Sequence, residues 1–242
     1  MMLFIALGFC AQLIDGCLGM AYGVFLTTFL TANGVPLVQA SSSVHFAEVF
    51  TTLASGLAHW RFDNVSWPMF RRLAFAGVVG GILGAYVLTS VNGKILKPWV
   101  TVYLLLLGIR LLCKVWQHPT FNAALKRLIP LGLVAGFCDA VGGGGWGPIV
   151  TSTLLVRGHT PHKAIGTVNT AEFFVTVAQT ATFVALIGLG NWKMVSGLII
   201  GGILAAPLAA YLCKIINQKV LMAAVAVLII LTNSYVLFNL WS

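Results

Sequence analysis

Residues 128–156 read LIPLGLVAGFCDAVGGGGWGPIVTSTLLV, an apolar run whose middle is four consecutive glycines, Gly142–Gly145, followed by Trp146, Gly147 and Pro148. As one straight helix at 1.5 Å per residue the run would extend roughly 40–50 Å, too long for one untilted bilayer crossing and too short for two. Glycine loses the most conformational freedom in a helix, so four in a row predict an unwound break with a helical arm on either side. Unwound backbone inside apolar sequence must be surrounded by protein or by a water-filled hollow. The fold is read outward from that break.

The rest of the chain is of the same kind. Of its 242 residues 59% are hydrophobic and 8% charged, against roughly a quarter charged in a soluble domain. Runs such as Leu73–Val91, Val195–Cys213 and Val220–Leu240 reach the ~20 residues a spanning helix needs. An all-α, multi-pass membrane protein is predicted, a single transmembrane domain over 1–242 with the plasma (inner) membrane as its place. Soluble enzymes, nucleic-acid binders and disulfide-stapled secreted domains are excluded. The net charge of +9 is read as loop Lys and Arg that set orientation in the bilayer. Five cysteines, Cys10, Cys17, Cys113, Cys138 and Cys213, all lie in apolar segments and read as packing residues rather than disulfides. Met1–Ile14 lacks a basic leader and runs into Asp15, so no cleavable signal peptide is predicted.

The chain is duplicated. Asp15 to Asp139 is 124 residues, as is Glu48 to Glu172, and that offset aligns Asp15–Trp60 with Asp139–Val184 without a gap, identical at 13 of 46 positions. Gly80-Gly81-Ile82-Leu83-Gly84-Ala85 answers Gly201-Gly202-Ile203-Leu204-Ala205-Ala206 with a small shift. Repeat 1 covers about 1–118 and repeat 2 about 125–242. Each opens with a glycine-interrupted stretch, Met1–Ala32 and Leu128–Val156, followed by three ordinary spans, near 42–60, 69–91 and 98–116, then 164–189, 194–213 and 220–241. A hydropathy profile would report seven or eight segments.

Loop charge separates two arrangements. If both opening stretches cross, giving eight spans in parallel repeats, Lys and Arg divide 8 to 6. If each is a broken, re-entrant hairpin, giving six full spans in inverted repeats, Arg61, Arg71, Arg72, Arg110, Lys114, Lys126, Arg127, Arg157, Lys163, Lys214 and Lys219 share one side, and only Lys94, Lys97 and Lys193 take the other. Eleven to three is the bias that the positive-inside rule expects, so the inverted arrangement is predicted.

Four of the five acids, Asp15, Glu48, Asp139 and Glu172, fall inside apolar sequence, two per half at matched positions. An ionised carboxylate at mid-membrane costs about 2.5–3.5 kcal/mol on insertion scales, and such groups mark transport or proton paths. Proton coupling is the expected role. For Asp15 and Asp139, which precede the breaks, helix capping stands equally. His45 and Glu48 share a helix face, repeated by Asn169 and Glu172, and His45–Glu48 reads either as a proton carrier or as a satisfied polar pair. The fifth acid, Asp63, is a solvated loop residue. His159-Thr160-Pro161-His162 lacks nearby cysteines and acids, and no metal or cofactor is predicted.

The substrate is expected at the two breaks, Gly142–Gly145 with Trp146, and in the first half Gly16, Gly19 and Tyr22, with Asn169 beside them. If Trp146 or Gly147 opens the second arm, that helix N-terminus offers amide donors and positive potential to an anion. The two breaks would then meet from opposite sides near the midplane. Tyr22 and Trp146 align, to flank the ligand or to seal the packing. Thr27, Thr28, Thr151, Ser152, Ser41–Ser43, Thr167, Gln12 and Gln179 supply neutral donors, most of them for helix packing. The glycines at 77, 80, 81 and 84, and at 197, 201 and 202, have the spacing of close helix contacts. Cys17 and Cys138 flank the two aspartates, as packing or as thiols beside a sulfur-containing ligand.

Gly142–Pro148, Ala164-Ile165-Gly166-Thr167 and the 80–85 string, in this order and duplicated, resemble the sulfite exporter TauE/SafE family over nearly the whole chain. The resemblance implies a secondary transporter of small anions: sulfite, sulfonates and related organosulfur compounds. Two departures are the reduced glycine run Gly19-Met20-Ala21-Tyr22-Gly23-Val24 and the ionisable His45, Glu48, Asp139 and Glu172. Proton-coupled alternating access is the leading expectation, a passive anion channel the second and an intramembrane enzyme the third. Besides the lipid bilayer and the anionic substrate, a second copy in a homodimer is the expected partner.

Overall fold

The computed structural model describes residues 1–116, 127–157, 159–188, 191–212 and 218–241. His118, Lys126, Cys213 and Lys214 lie outside the described residues, as do the side chains of Cys17, Lys94, Lys97, Lys114 and His162. The described residues form ten α-helices and no strand: α1 Met2–Leu18, α2 Tyr22–Ala32, α3 Leu37–Arg61, α4 Trp67–Ser90, α5 Gly93–Lys114, α6 Leu128–Gly142, α7 Trp146–Val156, α8 Pro161–Ile187, α9 Trp192–Leu212 and α10 Gln218–Trp241.

Both opening stretches are broken where the glycines predict. The arms of 17 and 11 residues in α1 and α2, and of 15 and 11 in α6 and α7, extend about 17–26 Å, short of the ~30 Å hydrocarbon core. The other six helices have 21–27 residues, about 32–40 Å. Of these, α4 and the 163–187 part of α8 combine the length with an apolarity sufficient on its own to cross a membrane.

The breaks share a geometry. Gly19 and Gly143 cap α1 and α6 at φ 64° and ψ near 30°, each amide turned back to the Asp15 or Asp139 carbonyl. This left-handed conformation is cheap only without a Cβ. Beyond each cap the short arm turns an i, i+4, i+8 stripe inward: Tyr22, Leu26 and Leu30 pack among Val44 and Leu198, while Trp146, Val150 and Leu154 pack among Leu73 and Val168.

Glycines set the close helix pairs. On α4, Leu73 abuts Gly132, Gly77 abuts Gly136, and a methyl at Gly84 would strike the Phe137 carbonyl. On α9, Gly197 lies against Phe4 and Gly201 against the Ile5 carbonyl. These contacts advance together along both chains, so α4 runs parallel to α6 and α9 parallel to α1. Between them α3 and α8 cross antiparallel, with Ser55 bonded to Asn169 and His45 against Phe183. At one end of that crossing the α3–α4 turn sits on the start of α8, where Lys163 pairs with Asp63 (3.4 Å) and the Ser66 amide donates to Thr167 Oγ1. At the other end Phe46 meets Trp192 edge-on, 5.5 Å between centroids.

Candidate functional site

The two breaks touch. A Cβ on Gly23 would lie 2.8 Å from the Gly144 Cα and 2.9 Å from the Gly143 carbonyl oxygen, and one on Gly147 would lie 2.7 Å from the Met20 Cα. Only bare backbone permits this approach. Two reciprocal bonds hold the contact, Thr27 Oγ1 donating to the Gly143 carbonyl and Thr151 Oγ1 to the Gly19 carbonyl at 3.0 Å. Both threonines, expected as neutral donors, link one break to the other.

Asp15 and Asp139 cap the short arms. The Tyr22 amide donates to Asp15 Oδ1 at 3.3 Å and the Trp146 amide to Asp139 Oδ1 at 2.9 Å. The first amide of each arm, expected to face an anion, is thus taken by the chain's own carboxyl group. Of the two roles weighed for these aspartates in the sequence, capping is the one these bonds describe.

The two caps differ in what else reaches them. Gln179 Nε2 donates to Asp139 Oδ2 at 2.9 Å and to the Gly136 carbonyl at 3.2 Å. His45 Nε2 stands 3.1 Å from the same Oδ2, and its Nδ1 is 2.7 Å from the Ser41 carbonyl. Both ring nitrogens face acceptors, the arrangement of an imidazolium. Ser41 Oγ closes the network by donating to the Ala140 carbonyl at 2.7 Å. The nearer partner of His45 is therefore Asp139, with Glu48 Oε2 at 4.0 Å; i, i+3 spacing placed Glu48 on the same face, but the break brings Asp139 closer.

Glu48 points at the breaks, its Oε1 3.0 Å from the position of a Cβ on Gly23, while its buried Oε2 has no hydrogen-bond partner. It lies within electrostatic reach of His45, Asp139 and Asp15, and Glu172 within reach of Asp15, Glu48 and Asp139. The four acids scattered through the sequence thus form one buried cluster. No Lys or Arg is among the buried side chains described, and no group of three or more possible metal-ligating side chains occurs among the described residues.

Tyr22 and Trp146 point apart. Trp146 is fully buried against Gly77 and donates its indole N–H to the Val168 carbonyl at 3.2 Å, while the Tyr22 hydroxyl lies near Gly202 without a partner. Asn169 donates to Ser55 Oγ at 3.0 Å. Gly16 packs on Ala209, and Gly142 and Gly145 on Tyr103. Cys138 is half-buried and in reach of Asp139 and Tyr103. Ser55 and Tyr103 were not singled out by sequence, since one serine or tyrosine in an apolar helix carries no spacing signal.

The sulfite exporter TauE/SafE family profile matches residues 4–236. "Probable membrane transporter protein YtnM" of Bacillus subtilis is 45% identical, over all of this chain and 84% of that protein. "Probable membrane transporter protein YunE" of the same organism is 21% identical over 97% of this chain and 96% of its own length. No solved structure matches the chain.

Proposed function

The chain belongs to the sulfite exporter TauE/SafE family and is a membrane transporter, and from that premise we propose that it moves small sulfur-containing anions, sulfite or organosulfonates, by proton-coupled alternating access. The reading is of a multi-pass protein of the plasma membrane built as two inverted repeats. The observation that carries it is the gathering of Asp15, Glu48, Asp139 and Glu172 around the two touching breaks. Buried carboxyls at such a depth are costly unless they exchange protons or partners during the cycle. The antiparallel crossing of α3 with α8, its counterpart at the 124-residue offset, supports inversion. Discontinuous helices meeting at a repeat interface are where secondary transporters place substrate and coupling ion.

Reconstitution in liposomes with a sulfite and sulfonate panel tests this. Flux that saturates and follows an imposed pH gradient is expected, with Glu48→Gln and Glu172→Gln losing the gradient dependence. Saturable flux indifferent to the gradient refutes coupling; unsaturable flux indifferent to both substitutions identifies a passive channel; and no flux of any panel member through folded protein removes the substrate class.

A further inference from the structure

An apolar groove of about 310 Å³ lies where α3, α4 and α8 meet, walled largely by Trp60, Trp67, Phe70, Phe173 and Phe174. Along α3 it runs from Thr52 to Trp60, about 12 Å, and ends at the α3–α4 turn. Leu53, Leu57 and Phe174 are exposed at its rim, so it opens to the outside of the helix bundle. The duplicate half shows that the space is built by sequence. At the 124-residue offset Gly56 answers Thr180, and Thr170 answers Phe46. The equivalent space there, with Thr180 and Phe46 in its wall, holds about 10 Å³. Larger side chains fill in one half what Gly56 and Thr170 leave open in the other. An unfilled apolar space forfeits dispersion contacts along its whole lining, which an inserted chain restores.

Basic residues follow the same division. Arg61 adjoins Trp60 at the end of α3, and Arg71 stands one turn beyond Trp67 on α4. Trp67, Arg71 and Phe75 share one face of that helix, and the 72% exposure of Phe75 marks it as the outward face. Both arginines are exposed. The turn's one acid, Asp63, is paired with Lys163 at 3.4 Å. In the other half Ala185 answers Arg61, and Ser196 answers Arg71 when counted from the tryptophans that open α4 and α9. The groove and its arginines occur together in one half and are replaced together in the other.

We propose that this groove seats an acyl chain of one anionic phospholipid, drawn from the leaflet on the α3–α4 side, with its phosphate between Arg61 and Arg71. Trp60 and Trp67 then stand at headgroup level, where tryptophan collects in membrane proteins, and the arginine stems lie along the apolar wall while their charged ends reach outward. A second copy of the chain fits the same groove poorly. In a two-fold dimer about the membrane normal equal heights meet, so Arg61 and Arg71 would face their own counterparts, and like charges set against each other cost affinity. The site depends on membrane embedding alone and not on the substrate proposed above.

Native mass spectrometry of the purified full chain, given equal amounts of dioleoyl phosphatidylglycerol and dioleoyl phosphatidylcholine, tests this. One phosphatidylglycerol is expected to stay with each chain on release from the micelle, preferred about tenfold or better, the scale of two arginines near an anionic surface. Arg61→Gln combined with Arg71→Gln, both at exposed positions, is expected to reduce the preference to about twofold or less. Thr170→Phe, which installs the residue of the closed half, is expected to cut retention of either lipid about tenfold; Leu57→Trp, on the exposed rim, fills the same space where Thr170→Phe fails to fold. Phosphatidylglycerol with brominated chains locates the site in the same protein. It should quench tryptophan fluorescence at one lipid per chain, and lose that quenching when Trp60 and Trp67 are both replaced by Phe. Equal retention of the two lipids, a preference that survives the arginine substitutions, or quenching that persists without those tryptophans overturns the proposal. A dimer that carries no lipid and that Leu57→Trp dissociates assigns the groove to a second copy and likewise overturns it.

Discussion

Asp139 and Asp15 occupy matched positions but carry different loads. Asp139 accepts the Trp146 amide and the Gln179 amide and faces the His45 ring, whereas Asp15 accepts the Tyr22 amide at a longer 3.3 Å. Removing Asp139 takes from His45 its nearest acid and from the Trp146 and Gln179 amides an acceptor, and breaking a buried pair of this kind costs about 3–5 kcal/mol. Removing Asp15 forfeits a helix cap, worth roughly 0.5–2 kcal/mol. Asp139→Ala is therefore expected to destabilise the detergent-solubilised protein well beyond Asp15→Ala, as read by thermal unfolding monitored by tryptophan fluorescence. Equal losses would show that the His45–Gln179 network contributes nothing. The pairing itself was half legible. Matched acids at a fixed offset marked all four carboxyls, and i, i+3 spacing put His45 beside Glu48, but a sequence cannot show that the helix break swings Asp139 to within 3.1 Å of the ring. Gln179 was visible only as one neutral donor among many, because amide side chains in apolar helices look alike until their partners are placed.

At the scale of the broken helices, the two copies reach one geometry from unequal sequences. Gly145 opens α7 at φ 156°, while the matched residue before α2 is Ala21 at φ 99°, a left-handed conformation that a Cβ disfavours. The cost of such a residue is of order 1–3 kcal/mol. Ala21→Gly is expected to recover about 1 kcal/mol of it, partly offset by added freedom in the unfolded chain, and to raise the melting temperature. A lower melting temperature would mean that the Ala21 methyl, which is buried, contributes more by packing than its backbone loses. The glycine run made the second break evident and the weaker first one inferable by duplication. What the sequence did not disclose is that each break is latched to the other. Thr27 and Thr151 each bond the opposite cap, so Thr27→Val and Thr151→Val should each cost about 0.5–1.5 kcal/mol. Because both act on one contact, the double variant should lose less than the sum, by at least roughly 0.5 kcal/mol in a double-mutant cycle. Strict additivity would show two independent bonds rather than one interface.

Over the whole molecule, inversion turns a local duplication into a testable sidedness. The α3–α4 turn lies on the start of α8 through Lys163–Asp63 and Ser66–Thr167, while the start of α9 lies at the far end of α3 through Phe46–Trp192. Arg61 and Arg157 then belong to one face of the membrane and Lys193 to the other, in agreement with the eleven-to-three division of loop charge. Eight spans in parallel repeats demand a different pairing, with Arg61 and Lys193 together and Arg157 opposite. Single cysteines at 61, 157 and 193, in a chain whose five native cysteines are replaced by alanine or serine, separate the two. Intact cells treated with a membrane-impermeant maleimide should label position 193 alone, and inside-out vesicles should label 61 and 157 and spare 193. Co-labelling of 61 with 193 in either preparation would dissolve the inverted frame, and with it the physical reason for two helix breaks to enter from opposite sides and meet. The charge rule supplied the direction of this argument from sequence, but only packing supplies its force: residues 63 and 163, a hundred positions apart in the chain, cannot share a salt bridge across the hydrocarbon of a bilayer.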